Sequence, residues 1–139
     1  MYVIIMGCGR VGARLANLLV SAGHEVLVMD VTPGAFERLG RDFPGSTMVG
    51  NGIDSDDLIK AGIERADAFA AVTQGDNRNI MAAQLAKHVF KVARVVTRIY
   101  DPIRQDTFKA LGLDAVSPTV IGAEVFFGML TGERGRENG

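Results

Sequence analysis

The chain is predicted to fold as an α/β domain, a doubly wound sheet of six parallel strands in the order 3-2-1-4-5-6 with helices on both faces. Three observations carry this. Short strand-forming runs alternate with helical segments from end to end, without a long linker. The first run, Val3-Ile4-Ile5-Met6, leads straight into Gly7-Cys8-Gly9-Arg10-Val11-Gly12, a Gly-x-Gly-x-x-Gly loop that opens a helix. The second run, Val26 to Met29, is followed by Asp30, at the spacing where such loops place an acidic residue.

Taken in order, the first strand is Tyr2–Met6 and the first helix Arg10–Ala22, ending near Ser21-Ala22-Gly23. A strand over Glu25–Met29 precedes a helix over Pro33–Asp42. Ser46–Val49 is the third strand, and Ser55–Ala61 a helix that Asp54 can cap and Gly62 can leave in a left-handed conformation. The strand Ala68–Val72, the helix Arg78–Phe90 and the strand Arg94–Arg98 follow. Asp101-Pro102 is a cap followed by proline at the first helical position, opening Pro102–Leu111, which Gly112 closes. Asp114–Ser117 is the sixth strand, and Ser117-Pro118 repeats the device ahead of Pro118–Thr131. Alternation of this kind implies right-handed helical crossovers between parallel strands. The fold is Rossmann-like, with a ligand expected over the carboxyl ends of strands one, two and four. Residues 1–131 form the domain; 132–139, polar and glycine-rich, are expected to fray.

Composition bounds the function. The 139 residues suffice for one core, and 15 basic against 16 acidic residues point to neither nucleic acid nor a membrane surface as partner. No window approaches the apolar length of a membrane span, and the first strand begins at once, so no signal peptide is expected. Cys8 is the single cysteine, which excludes an internal disulfide and fits a reducing, cytoplasmic setting. His24 and His88 are the only histidines, too few for a Cys/His zinc site.

The chemistry of the glycine loop is that of a pyrophosphate cradle. Gly7 turns tightly, Gly9 lets the backbone approach phosphates, and Gly12 lets helix and strand pack closely. The first N–H groups of the helix and its dipole favour an anion there. Arg10 sits where the dipole disfavours a cation, and a phosphate beside it would relieve that. Asp30 would take the ribose hydroxyls, although it suits equally a cap for the Val31-Thr32-Pro33 turn. Val31 and Thr32 offer no basic group for a 2′-phosphate, so NAD(H) or an adenine nucleotide is favoured over NADP. Cys8, near a helix N-terminus, has the option of a depressed thiol pKa, but small buried filler is the preferred reading. Lys87, His88, Lys91 and Arg94 read as a solvated face at a helix C-terminus.

Beyond Asp30 the chain resembles the TrkA N-terminal family, also called the RCK domain, the nucleotide-binding lobe of potassium channel and transporter regulators. The resemblance runs from Tyr2 to about Thr131. Its most specific piece is Gly7-Cys8-Gly9-Arg10-Val11-Gly12, with arginine after the second glycine. Val49-Gly50, Ala71-Val72-Thr73, Asp76 and Asn79 match further, as do Val96-Thr97-Arg98-Ile99-Tyr100-Asp101-Pro102 and Leu111-Gly112-Leu113-Asp114-Ala115-Val116-Ser117-Pro118. The resemblance implies that Asn51 and Gly52 flank the adenine, that Thr73 and Gln74 face ribose and phosphates, and that Arg98 reaches the nucleotide or its pocket wall. Read without it, Asn51-Gly52 is a turn, Thr73 and Gln74 a polar strand exit, and Arg98 a surface residue paired with Asp101 or Asp76. One departure matters: where the family usually has aspartate after Gly50, Asn51 stands, keeping an acceptor while gaining a donor and losing the charge. A second lobe, which often follows in the family, does not appear in these residues.

The last helix carries a separate message. Between Pro118 and Gly132 the only charge is Glu124, and apolar residues surround the axis. A helix covering a sheet has a wet face, so this one requires a second partner. The resemblance implies a homo-oligomeric contact, dimer or ring, through residues 118–131; packing beneath a second lobe is the intramolecular alternative.

The function these readings favour is a regulatory subunit without chemistry of its own. It would sense NAD(H), ATP, ADP or AMP and bias a membrane-embedded potassium channel or transporter from its cytoplasmic side. The alternative is a small NAD-dependent oxidoreductase. That reading lacks a Tyr-x-x-x-Lys dyad, since Tyr2 is followed four positions on by Met6 and Tyr100 by Arg104.

Overall fold

Successive residues of a strand point to opposite faces, and β1 (Tyr2–Met6) is buried at every position, as a strand covered on both sides must be. Tyr2, Ile4 and Met6 enter one apolar cluster, with Met29, Leu58, Phe69, Ala82 and Phe108. Val3 and Ile5 enter the other, with Ala13, Ala16, Val28 and Leu39. Two cores on one strand define a three-layer domain. The computed structural model describes residues 1–133.

The other strands are β2 (Glu25–Asp30), β3 (Ser46–Val49), β4 (Ala68–Ala71), β5 (Arg94–Arg98) and β6 (Asp114–Val116). They form one sheet in the order β3-β2-β1-β4-β5-β6, with every pairing parallel. This is the expected topology, and strand ends differ from expectation by at most one residue. The reversal of winding lies between β1 and β4, where an open sheet of this kind forms a crevice.

Several helices depart from the sequence reading. The first is as expected, α1 (Arg10–Ser21), and Asp54 caps α2 (Ser55–Lys60) by accepting from Asp56 N at 2.9 Å. The segment expected as a helix over Pro33–Asp42 is instead a 3₁₀ run, Pro33–Leu39. Gly34 weakens its first turn, Thr32 makes no capping bond, and only Ala35 and Leu39 are buried, too little apolar contact to hold a longer helix. The helix expected at Arg78 starts two residues earlier, as α3 (Asp76–Gln84), and ends in a π turn, Leu85–Val89. There Phe90 N donates to Leu85 O and Val92 N to Ala86 O, turning the chain through a left-handed Lys91 into β5. Lys87 and His88 are thereby aimed at the carbonyls of Gly112 and Leu111, so they close the helix after β5 as well as their own. The expected helix Pro102–Leu111 divides into a 3₁₀ turn, Pro102–Arg104, and α4 (Gln105–Ala110).

α5 (Pro118–Thr131) begins as expected, with Ser117 accepting from Val120 N at 3.3 Å. It buries only Gly128. Phe126 is 68 % exposed, Phe127 52 % and Leu130 87 %. Of the tail expected to fray, residues 134–139 lie outside the described residues. No helix among the described residues is long and apolar enough to cross a membrane.

α4 is attached through one buried side chain, Phe108. Phe108→Ala is expected to cost about 3–5 kcal/mol of unfolding free energy. Chemical denaturation measures the loss, and native-state hydrogen exchange should show protection falling first over residues 102–113.

Candidate functional site

The carboxyl ends of β1, β2, β4 and β5 bring together Gly7, Asp30, Thr73 and Arg98, four of the residues singled out above. The glycine loop forms because the backbone has nowhere else to go. Gly7 has φ +112°, donates its N–H to Met29 O at 2.8 Å, and a Cβ on it would stand 2.9 Å from Thr73 N. Gly12 lies one helical turn into α1, where a Cβ would overlap the Gly7 carbonyl. Gly9 caps the helix in ordinary extended backbone, φ −84°, and a Cβ there meets nothing within 4 Å. Two glycines are therefore demanded by the fold, and the third leaves open space in front of the helix N-terminus.

Asp30 braces this loop. One carboxylate oxygen accepts from Cys8 N at 2.8 Å and the other from Thr32 N at 2.8 Å. The turn cap foreseen for Asp30 is thus present, together with a cross-strand tie that local sequence does not reveal. The Cys8 carbonyl accepts from Arg38 Nη1 at 3.4 Å, a long bond. Cys8 itself is fully buried. Burial pushes its thiol pKa up, Asp30 adds to this, and Arg38 opposes it, so the preferred reading as inert filler holds. Arg10 opens α1 exposed, with no acidic residue in the first turn; Val11 is half-buried, and Val31 is exposed just past β2. Beside them runs a groove of about 500 Å³ lined by Arg10, Ala13, Arg14, Asn17 and Arg38. Arg65–Glu25 is the one ion pair among the described residues, so none of these three arginines has a carboxylate partner there.

Asn51 and Gly52 form the turn after β3. Asn51 N donates to Asp57 Oδ2 at 2.8 Å, and its side-chain oxygen accepts from Ile53 N at 3.1 Å. Gly52 is buried, and a Cβ on it would overlap the Met6 side chain. Both residues thus have structural work, and the Asn51 amide NH₂ has no hydrogen-bond partner among the described residues.

At the opposite side Gln74 is exposed, while the Thr73 hydroxyl donates to Asn79 Oδ1 at 2.6 Å. Arg98 is half-buried, its guanidinium 5.3 Å from the Tyr100 ring centre, and its Nε is buried without a partner. The surface pairing with Asp76 or Asp101 does not form. Asp76 instead accepts from Tyr100 N and Asp101 N, and Asp101 from Ile103 N. Asn79 is the residue whose weight the sequence reading missed. With the helix expected to start at Arg78, Asn79 stood in its first turn, where an asparagine is ordinary, so its burial had little signal in the sequence.

A parallel sheet in this order, with a glycine loop at its winding reversal, defines a Rossmann-like domain. The sequence profile of the TrkA-N domain matches residues 3–118, and the chain belongs to that family. It is 50 % identical over 117 residues to the Trk system potassium uptake protein TrkA of Streptomyces coelicolor, covering 84 % of this chain and 52 % of that protein. The chain spans about half the length of the curated relatives it matches. Among solved structures, the GsuK channel bound to NAD superposes with a TM-score of 0.80 at 26 % identity, over 94 % of this chain and 23 % of that one. GsuK bound to ADP gives 0.79 at 26 % identity, over 93 % and 33 %.

Two substitutions separate the roles of the glycines. Gly12→Ala is expected to destabilise the fold by about 3 kcal/mol or more, because its clash is with backbone rather than a flexible side chain. Gly9→Ala should change stability by less than about 1 kcal/mol, since its backbone angles suit any residue. Thermal and urea unfolding of the two variants against the unmodified protein gives the comparison.

Proposed function

We propose that the chain is the nucleotide-sensing lobe of a regulator of potassium transport, binding NAD(H) or an adenine nucleotide (ATP, ADP or AMP) without chemistry of its own. The observation that carries this is the open face of Gly9 at the N-terminus of α1, with Asp30 ending β2 on one side and Arg98 ending β5, two strands from β1, on the other. The residues fit a phosphate-bearing ligand. Gly9 leaves the volume a pyrophosphate needs, and the unpartnered buried Nε of Arg98 is a donor in want of an acceptor. Gly7, Cys8, Gly9, Arg10, Val11 and Gly12 would hold the phosphates; Asp30 and Val31 would meet the ribose. Asn51 and Gly52 would lie by the base, through the free Asn51 amide, and Thr73, Gln74 and Arg98 would close the far side. The name of the Streptomyces relative supports potassium uptake, and the NAD- and ADP-bound GsuK structures support the ligand class.

Catalysis is the weaker reading. An oxidoreductase needs a proton donor beside the nicotinamide. The Tyr2 hydroxyl is engaged by the Ala61 carbonyl at the amino end of the sheet, and burial raises its pKa. Regulation requires instead that nucleotide bind two arrangements of the assembly with different affinity. On this reading the protein acts at the cytoplasmic face through a membrane-embedded channel or transporter subunit, with no nucleic-acid partner. Copies associate through α5, whose Phe126, Phe127, Met129 and Leu130 are left exposed among the described residues.

Gly9→Val should lower affinity for NAD and for ADP by about a hundredfold or more, because its side chain fills the phosphate space while the fold is kept. Calorimetric titration measures this, and wild-type affinity in the variant would place the ligand elsewhere. Phe126→Asp should convert a dimer or ring into monomers that still bind nucleotide. Light scattering at high protein concentration decides, and a monomeric unmodified chain would reject association through α5.

A further inference from the structure

Asn79 lies at the base of the crevice, wholly buried, and all four hydrogen-bonding positions of its amide are used. Nδ2 donates to Thr73 O at 3.0 Å and to Arg98 O at 3.2 Å. Oδ1 accepts from Thr73 N at 3.0 Å and from the Thr73 hydroxyl at 2.6 Å. One amide therefore joins the ends of β4 and β5 at the two residues that the nucleotide reading places across the crevice from the glycine loop. The network also fixes which way the amide faces, since the reverse orientation would set an oxygen against two carbonyls.

Three residues earlier on α3, Asp76 accepts from Tyr100 N at 2.6 Å and Asp101 N at 3.0 Å. This fixes the backbone at Tyr100, whose ring centre lies 5.3 Å from the Arg98 guanidinium. Arg98 is thus held at its backbone through Asn79, and its tip lies beside a ring whose own backbone Asp76 fixes. It has no ion pair among the described residues, and its buried Nε has no partner. A long, flexible side chain held in place without an internal anion is arranged in advance for an external one.

We propose that Asp76 and Asn79 are positioning residues that set nucleotide affinity through Arg98, neither of them touching the ligand. This rests on the nucleotide reading above. Fixing Arg98 before binding removes the ordering cost of its side chain from the binding step, so loosening either support lowers affinity only while Arg98 is present.

The test is a double-mutant cycle read by calorimetric titration with ADP up to millimolar concentration, each variant's melting curve being recorded alongside. Asn79→Asp keeps the shape and the acceptor but sets an oxygen against the Arg98 and Thr73 carbonyls. Asp76→Ser is a second variant on a partly exposed site, and decides the matter alone if Asn79→Asp does not fold. Each should weaken ADP binding about tenfold in the otherwise unmodified chain and less than about twofold beside Arg98→Ala. Equal losses in both backgrounds, or unchanged affinity in Asp76→Ser, would overturn the proposal and leave the two residues as strand-end caps. An unmodified chain that binds neither ADP nor NAD would overturn the nucleotide reading along with it.

Discussion

The geometry of the whole crevice depends on one backbone contact. Gly12 in α1 comes so close to the carbonyl of Gly7 that no side chain fits between them. That contact sets the angle at which α1 leaves β1, and with it the place where the helix's free N–H groups point. It also brings Gly7 against the end of β4 at Thr73, so the loop and the strand across the winding reversal are built as one piece. Asp30 adds the third side by taking the Cys8 N–H from the neighbouring strand. Three strand ends are thus locked by backbone groups and one carboxylate. This rim of the crevice has little freedom to rearrange without unfolding.

The two halves of the crevice are made rigid by different means. On the β1–β2 side the work is done by glycines and a half-buried aspartate in reach of solvent. On the β4–β5 side it falls to a buried asparagine and to Asp76. The first arrangement follows largely from sterics, since a side chain at Gly7 or Gly12 would meet backbone. The second is polar, and its rigidity rests on every donor and acceptor being matched.

Much of this was legible in the sequence, for physical reasons. Strand order followed from the alternation of periods and the glycine loop, because parallel pairing and right-handed crossover leave few alternatives. Caps at Asp54, Asp101 and Ser117 were readable because their chemistry is local. What sequence hid was non-local. Nothing near Asp30 announces that it ties Cys8, twenty-two residues away, and nothing near Lys87 announces the Gly112 carbonyl. The 3₁₀ run Pro33–Leu39 and the π turn Leu85–Val89 were missed because helical periodicity registers apolar spacing and is blind to which carbonyl each N–H selects. Asn79 escaped as more than a motif match because its fourth bond reaches the carbonyl of Arg98 on β5, and its other three return to Thr73 across the loop that precedes α3.

The basic groove beside the loop has a kinetic consequence. Arg10, Arg14 and Arg38 converge on a domain whose formal net charge is only −1, so the charge that matters is where it sits rather than its sum. At physiological ionic strength a field of this kind reaches about 8 Å into solvent before counter-ions damp it. An anion diffusing along this edge is therefore drawn toward the N-terminus of α1 before it makes any contact, and its capture rate falls as salt rises while a neutral solute's does not. The speed at which the domain samples anions thus depends on the ionic strength of the surrounding solution.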